Sequence, residues 1–161
     1  MWLDEAPPAA YTASSIVTKV VKPKVVIDAA RRIAGVEVKL PSLPTPYALL
    51  GAELVDADVD GLEVIVLVNE VGVPFPSPLG EKSQHVKIGL PNEYRDAVIR
   101  GVTKVAEEVG APTKRKLRFG WAAHSLVSSS SWMFEKASAI VLQLLTLPSG
   151  GSDDQIRALF G

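Results

Sequence analysis

Strand patterns followed by a helix, a further strand and a second helix predict an α+β domain with its helices packed on one face of a sheet. Three stretches carry the prediction. Residues 36–40 alternate Val36, Val38 and Leu40 with Glu37 and Lys39, the period of a half-buried strand. Between 94 and 109, Tyr94, Ala97, Val98, Gly101, Val102, Val105, Ala106 and Val109 recur at three- and four-residue spacing, the apolar stripe of an amphipathic helix. Residues 117–123 then put Leu117, Phe119, Trp121 and Ala123 on one face of a strand, ahead of a second helical run.

The other elements follow in chain order. Residues 1–14, rich in Pro and Ala, read as a loose surface segment. Pro23 is placed for the first turn of a helix running to Ile33, with Gly35 just past its end. Residues 41–46 form a proline-stiffened loop, and residues 52–70 read as two strands around a hairpin turn at Asp60-Gly61. Residues 71–83 are irregular, and residues 84–90 suit a short strand. Pro91 or Asn92 opens the first helix, Gly110 closes it and Pro112 follows. The second helix starts near Ser131 and turns Phe134, Ala137, Ile140, Val141, Leu144 and Leu145 inward until Pro148. This gives one α+β domain over residues 1–148, then a flexible linker and a short helix over 149–161, with Ser152 and Gln155 at capping-box spacing.

Composition narrows the function. A chain of 161 residues, 47% apolar and 22% charged, can bury a proper core as one domain. Its 17 Lys+Arg against 18 Asp+Glu leave a net charge of −1, so attraction to nucleic acid requires a local basic patch. With no cysteine there is no disulfide framework, thiolate nucleophile or Cys-based zinc site, and His85 and His124 are the only histidines. Nothing in the pattern asks for a cofactor. No apolar run approaches the ~20 residues that span a bilayer, and the acidic start at Asp4 and Glu5 is unlike a signal peptide. A cytoplasmic protein with no membrane partner is the expectation; its oligomeric state is not legible.

Four motifs invite chemistry. "DADVDG" at 56–61 sets Asp56, Asp58 and Asp60 as in the opening of a calcium loop, but position 12 of that loop is Leu67 where a Glu is needed. A surface turn is the plainer reading. The stretch from Leu40 to Glu81 has no Lys or Arg but carries Glu53, Asp56, Asp58, Asp60, Glu63, Glu70 and Glu81, an acidic edge open to solvent or to a basic partner. Lys114, Arg115, Lys116 and Arg118 make the one dense basic cluster, beside Phe119 and Trp121, and suit RNA phosphates if they are not simply solvated. Finally, His124 precedes Ser125 and the run Ser128, Ser129, Ser130 and Ser131. Ser130 or Ser131 suits a helix cap; the free N–H groups there, with Ser129, Ser130 and Ser131, also suit an anion. His124 with Ser128 as base and nucleophile is the third reading, without a G-x-S-x-G elbow or an orienting acid in sight.

Residues 89–102, "GLPNEYRDAVIRGV", resemble a segment in domain IV of translation elongation factor G, through Gly89, Pro91, Glu93, Tyr94, Ala97, Val98 and Gly101. After one strand that family has a His shortly before a Ser-Ser pair opening a helix with Met, Phe and Ala; here stand His124, Ser128 to Ser131, Met133, Phe134 and Ala137. The likeness covers residues 89–145, roughly a third of the chain. No P-loop or other GTPase element is present, and the first 80 residues show no match. The resemblance implies a sheet of four or slightly more strands, two main helices on one face and a left-handed βαβ crossover, against the usual hand. It also implies contact with RNA or the ribosome near His124. The serine run is similar, more faintly, to the phosphate loop of small-molecule kinases of the galactokinase and mevalonate kinase type.

Three functions therefore compete. The leading one is a stand-alone, non-catalytic RNA- or ribosome-binding domain using Lys114, Arg115, Lys116, Arg118 and His124. The second is a small enzyme or anion-binding protein built on Ser128 to Ser131 and His124. The third is a protein-interaction module.

Overall fold

The structure, a computed structural model, describes residues 1–41, 45–76, 85–148 and 150–160. The strands are β1 (Trp2–Leu3), β2 (Ser15–Val21), β3 (Ile33–Lys39), β4 (Tyr47–Asp56), β5 (Leu62–Val68), β6 (Val73–Pro74), β7 (Val86–Ile88) and β8 (Arg115–Ser125). The helices are α1 (Arg95–Glu108), entered through a 3₁₀ turn at Asn92–Tyr94, α2 (Ser131–Thr146) and α3 (Asp153–Phe160). The strands form one sheet in the order β1-β3-β4-β8-β5-β2, with β6 paired to β7 and β7 to β8. The α+β class holds, and the sheet is mixed: β5 and β8 run parallel, and the other pairs are antiparallel. None of the helices among the described residues is long and apolar enough to cross a membrane.

The apolar stripe read in the sequence is what binds α1 to the sheet. Ala97, Val98, Val102, Val105 and Ala106 are buried, as is Ile99, while Val109 at the helix end is exposed. Gly110 follows with φ +127, closing the helix in the left-handed region open to glycine. Helix α1 lies over β5 and β2, and α2 lies over β3 and β4. Both helices share a single core with Val36, Leu50, Val64, Leu117 and Phe119. They cross closely at Gly101, where an added Cβ would run into Ser138 Oγ and the Glu135 carbonyl.

Four expectations change. Residues 22–32 are not helical: the β-branched run before Pro23 becomes edge strand β2, and the segment after it braces both helix ends. There Lys24 N donates to the Ala106 carbonyl, Ile27 N to Ala111, and Ala30 N and Arg31 N to Leu145. Nor do β4 and β5 form a hairpin, although a turn does stand at Gly61 (φ +130). Strand β8 takes the place between them, joined to β5 by the α1 crossover.

The third change lies within β8. Gly51 pairs with Trp121 and Ala52 with Phe119, so Gly120 is an extra residue, a β-bulge that shifts the face of everything after it. Leu117, Phe119 and Ala122 enter the helix-side core, while Ala123 joins Ala9, Tyr47, Leu49 and Val86 in a second cluster. Phe119 and Trp121 therefore do not share a face. The fourth change is the N-terminal segment, which is packed: Ala9 is fully buried, and Pro7 lies against Gly35 and Gly51, where a Cβ would stand 2.7–2.9 Å from its ring.

Toward the C-terminus the expected box forms, with Ser152 N donating to Gln155 Oε1 (3.0 Å) and Gln155 N to Ser152 Oγ (3.3 Å). Leu159 and Phe160 of α3 pack on the main core, so the terminal helix is docked. Residues 42–44 of the proline loop, residues 77–84 with Glu81, and Ser149 lie outside the described residues.

Candidate functional site

The serine run is first of all a cap and a loop lock. Ser130 is the N-cap of α2, its Oγ accepting from Met133 N at 3.3 Å. Ser129 Oγ accepts from Ser125 N (2.8 Å) and donates to the Tyr47 carbonyl (2.7 Å), tying the loop to β4. Ser125 Oγ accepts from Val127 N and Ser128 N, both at 3.2 Å. Within the run, Ser128 Oγ is buried and has no hydrogen-bond partner among the described residues. Ser131, the first residue of α2, is exposed.

His124 is only 4% exposed, with Nδ1 2.9 Å from the Gly89 carbonyl. That carbonyl accepts, so Nδ1 carries the proton of a neutral ring. Burial pushes its pKa below the usual imidazole range; the Gly89 bond and Glu93 oppose that shift, and Lys87 adds to it. The imidazole lies neither on a convex tip nor in an open pocket.

The segments that carry the resemblance meet in space. His124 reaches Gly89, the Tyr94 ring stacks on Phe134 with centroids 4.8 Å apart, and Tyr94 Oη donates to the Ser129 carbonyl at 3.2 Å. With Gly101 under Ser138, these residues are joints between β7, α1, β8 and α2. Their pattern is explained by packing.

The basic cluster and the acidic edge cancel across the sheet. Arg115 Nε lies 3.2 Å from Asp56, Lys116 Nζ 3.8 Å from Glu63 and Arg118 Nη1 3.3 Å from Glu53. Lys116 and Arg118 stand directly opposite those glutamates in the register, on the face away from the helices. Arg118 also covers the Trp121 ring at 6.0 Å. Lys114 takes φ 54 just before the strand. Lys114 and His124 sit at opposite ends of β8, about 30 Å apart at a strand's rise per residue, so they do not form one surface.

The calcium reading separates in the same way. Asp56 pairs with Arg115 and Asp60 with Lys22 at 3.4 Å, and among the described residues no group of three His, Asp or Glu converges on an ion.

A different surface joins cations to an aromatic ring. Beside the Gly101 crossing, Lys104, Trp132, Glu135, Lys136 and Ala139 line a hollow of about 220 Å³. It adjoins a second of about 250 Å³, lined by Lys19, Ile99, Arg100, Thr103, Lys104, Glu107 and Glu135. Trp132 is 56% exposed, and Lys136 Nζ stands 5.6 Å from its ring. Arg100 Nε binds Glu135 Oε2 at 3.3 Å, while Lys19, Lys104 and Lys136 have no carboxylate within ion-pair distance among the described residues. Sequence reading missed this groove. Its one signal is Trp132, a large apolar residue off the buried stripe of α2 with a lysine one turn later. No protein-family model and no curated protein matches the chain.

Proposed function

We propose that the chain is a non-catalytic RNA- or ribosome-binding domain, similar in fold to domain IV of elongation factor G, whose contact surface is the α1–α2 groove. The exposed Trp132, carrying Lys136 over its ring and flanked by Lys104, is the observation behind this reading. Cations that lack carboxylate partners can displace counterions from a phosphate backbone, and an exposed indole offers a stacking platform for an unpaired base. By contrast, Arg115, Lys116 and Arg118 must break pairs with Asp56, Glu63 and Glu53 before they can do the same. The buried His124 supports the fold of the domain in this reading.

Fluorescence anisotropy with a labelled single-stranded RNA over a range of salt tests it. Trp132→Ala is expected to weaken binding about tenfold, and each of Lys104→Ala and Lys136→Ala to lower the salt slope by about 0.7. Lys114→Ala with Lys116→Ala should change little. Absence of binding at low salt overturns the proposal, and a larger loss from the Lys114/Lys116 pair moves the contact to β8.

The alternative, an enzyme or phosphate binder at the serine turn, draws on the partnerless Ser128 Oγ. It requires the loop to open, because the hydroxyls of Ser125, Ser129 and Ser130 are already bonded within the turn. Unchanged melting temperature in a panel of nucleotides and sugar phosphates sinks it.

A further inference from the structure

Where the segment 29–33 passes the end of β1 and the start of β8, it leaves a cavity of about 430 Å³ that shares no residue with the α1–α2 groove. Asp4, Ala29, Arg31, Arg32, Leu54 and Arg115 are among its walls, with Ile33 and Asp56 beside them. Arg31 is the fixed point. Its side chain is 8% exposed, and Nη1 donates to the carbonyls of Leu144 (2.9 Å) and Leu147 (2.6 Å) at the end of α2. Those two bonds hold the guanidinium plane in place. Its Nε is buried with no hydrogen bond; the nearest carboxylate, Asp4 Oδ2, is 3.5 Å away on a side chain 70% exposed.

A buried guanidinium N–H without an acceptor is costly, and a loose exposed aspartate compensates it poorly. Asp4 itself sits at φ 61, in the left-handed region that Asp tolerates better than most residues. Arg115 is held by Asp56, and Arg32 is exposed, with no carboxylate within ion-pair distance among the described residues. Three arginines and two aspartates thus line one hollow. Ala29, Ile33 and Leu54 add apolar wall, and the volume falls within the range of small-molecule sites, about 300–1,000 Å³.

We propose that this cavity binds a small organic oxyanion, a carboxylate or a phosphate monoester with a compact apolar body, through Arg31, Arg32 and Arg115. The anion supplies the acceptor that Arg31 Nε lacks, and Asp4 and Asp56 compete with it for Arg31 and Arg115.

Isothermal titration of the whole chain with phenyl phosphate, benzoate and inorganic phosphate tests the site. Phenyl phosphate or benzoate is expected to bind with a Kd below about 1 mM, more tightly than inorganic phosphate, which leaves the apolar wall unused. Arg32→Ala, at an exposed side chain, should weaken binding about tenfold. Asp4→Asn keeps the backbone preference and removes a competing charge, so it should tighten binding; a merely structural role gives no gain. Lys104→Ala, in the other groove, should leave the Kd unchanged. No binding of any probe up to about 10 mM overturns the site. So does an Arg32→Ala variant of unaltered affinity, a loss on Asp4→Asn, or an equal loss on Lys104→Ala.

Discussion

From Arg115 to Phe119, β8 turns its charged side chains to solvent between Glu53, Asp56 and Glu63, whereas from Trp121 to Ser125 the same strand is largely buried and its polar groups are bonded inside the protein. Gly120 separates the two halves. In the first half, water screens each charge, and a partner across the register neutralises it at little gain or cost. In the second, every donor must find an acceptor in the fold, so His124 answers Gly89 and Ser125 N answers Ser129 Oγ. A dense run of polar residues therefore means different things a few positions apart. On the wet half it sets surface charge; on the dry half it specifies packing.

The largest effect should come from removing the boundary. Inserting one alanine between Gly51 and Ala52 gives Gly120 a partner and restores strict alternation, which sends Trp121 and Ala123 toward the helices and Ala122 and His124 away from them. A loss of more than about 4 kcal/mol, or failure to fold, is expected in urea denaturation. A variant that keeps its stability would show that the two halves are not divided by the bulge. Next comes Ser129→Ala, in the loop tied to the dry half through Ser125 N. It removes the hydroxyl that accepts from Ser125 N and donates to the Tyr47 carbonyl, so about 2 kcal/mol should be lost by the same measurement.

A smaller effect is confined to acid. The folded pKa of His124 is lowered, so between the folded and unfolded values only the unfolded chain takes up the proton. That contribution to stability is fully present above the unfolded imidazole value, about 6.5, and is lost as pH falls below it toward the folded value. His124→Asn keeps an N–H facing the Gly89 carbonyl but cannot titrate, and it should flatten the stability profile over that window. An unchanged slope assigns the pH dependence to other groups.

Much of the wet-and-dry division was hidden in the sequence, for a definite reason. Local pattern revealed α1, α2, the strand around 116–124 and a serine cap at Ser130 or Ser131, because each depends on neighbours within a turn or two. It placed Trp121 with Phe119 because a bulge is invisible until the partner strand shows two residues against one. It read 52–70 as a hairpin because nothing local reveals that β8 slips between β4 and β5. The same intrusion brings Lys116 to Glu63 and Arg118 to Glu53, so neither the basic cluster nor the acidic edge survives as a single-sign surface. The α1–α2 groove escaped notice because Lys104 and Trp132 stand far apart in sequence and meet only through the Gly101 crossing.

The smallest effect belongs to the wet half and gives the sharpest check on the comparison. Lys116 and Glu63 face each other across the parallel β5–β8 register, their side chains 46% and 26% exposed, with 3.8 Å between Nζ and Oε2. At that distance and exposure the pair should contribute no more than about 0.5 kcal/mol, measured as the coupling in a Lys116→Ala, Glu63→Ala double-mutant cycle. Raising the salt concentration should shrink even that, since the Debye length falls to ~3 Å near 1 M. The single variants carry more information than the coupling. Glu63→Ala leaves Lys116 without its carboxylate on an open face, so any RNA affinity that rises in this variant comes from the wet half of β8. If Glu63→Ala changes neither stability nor RNA binding, the ladder of pairs is only a solvated surface, and the cations that matter are those beside Trp132.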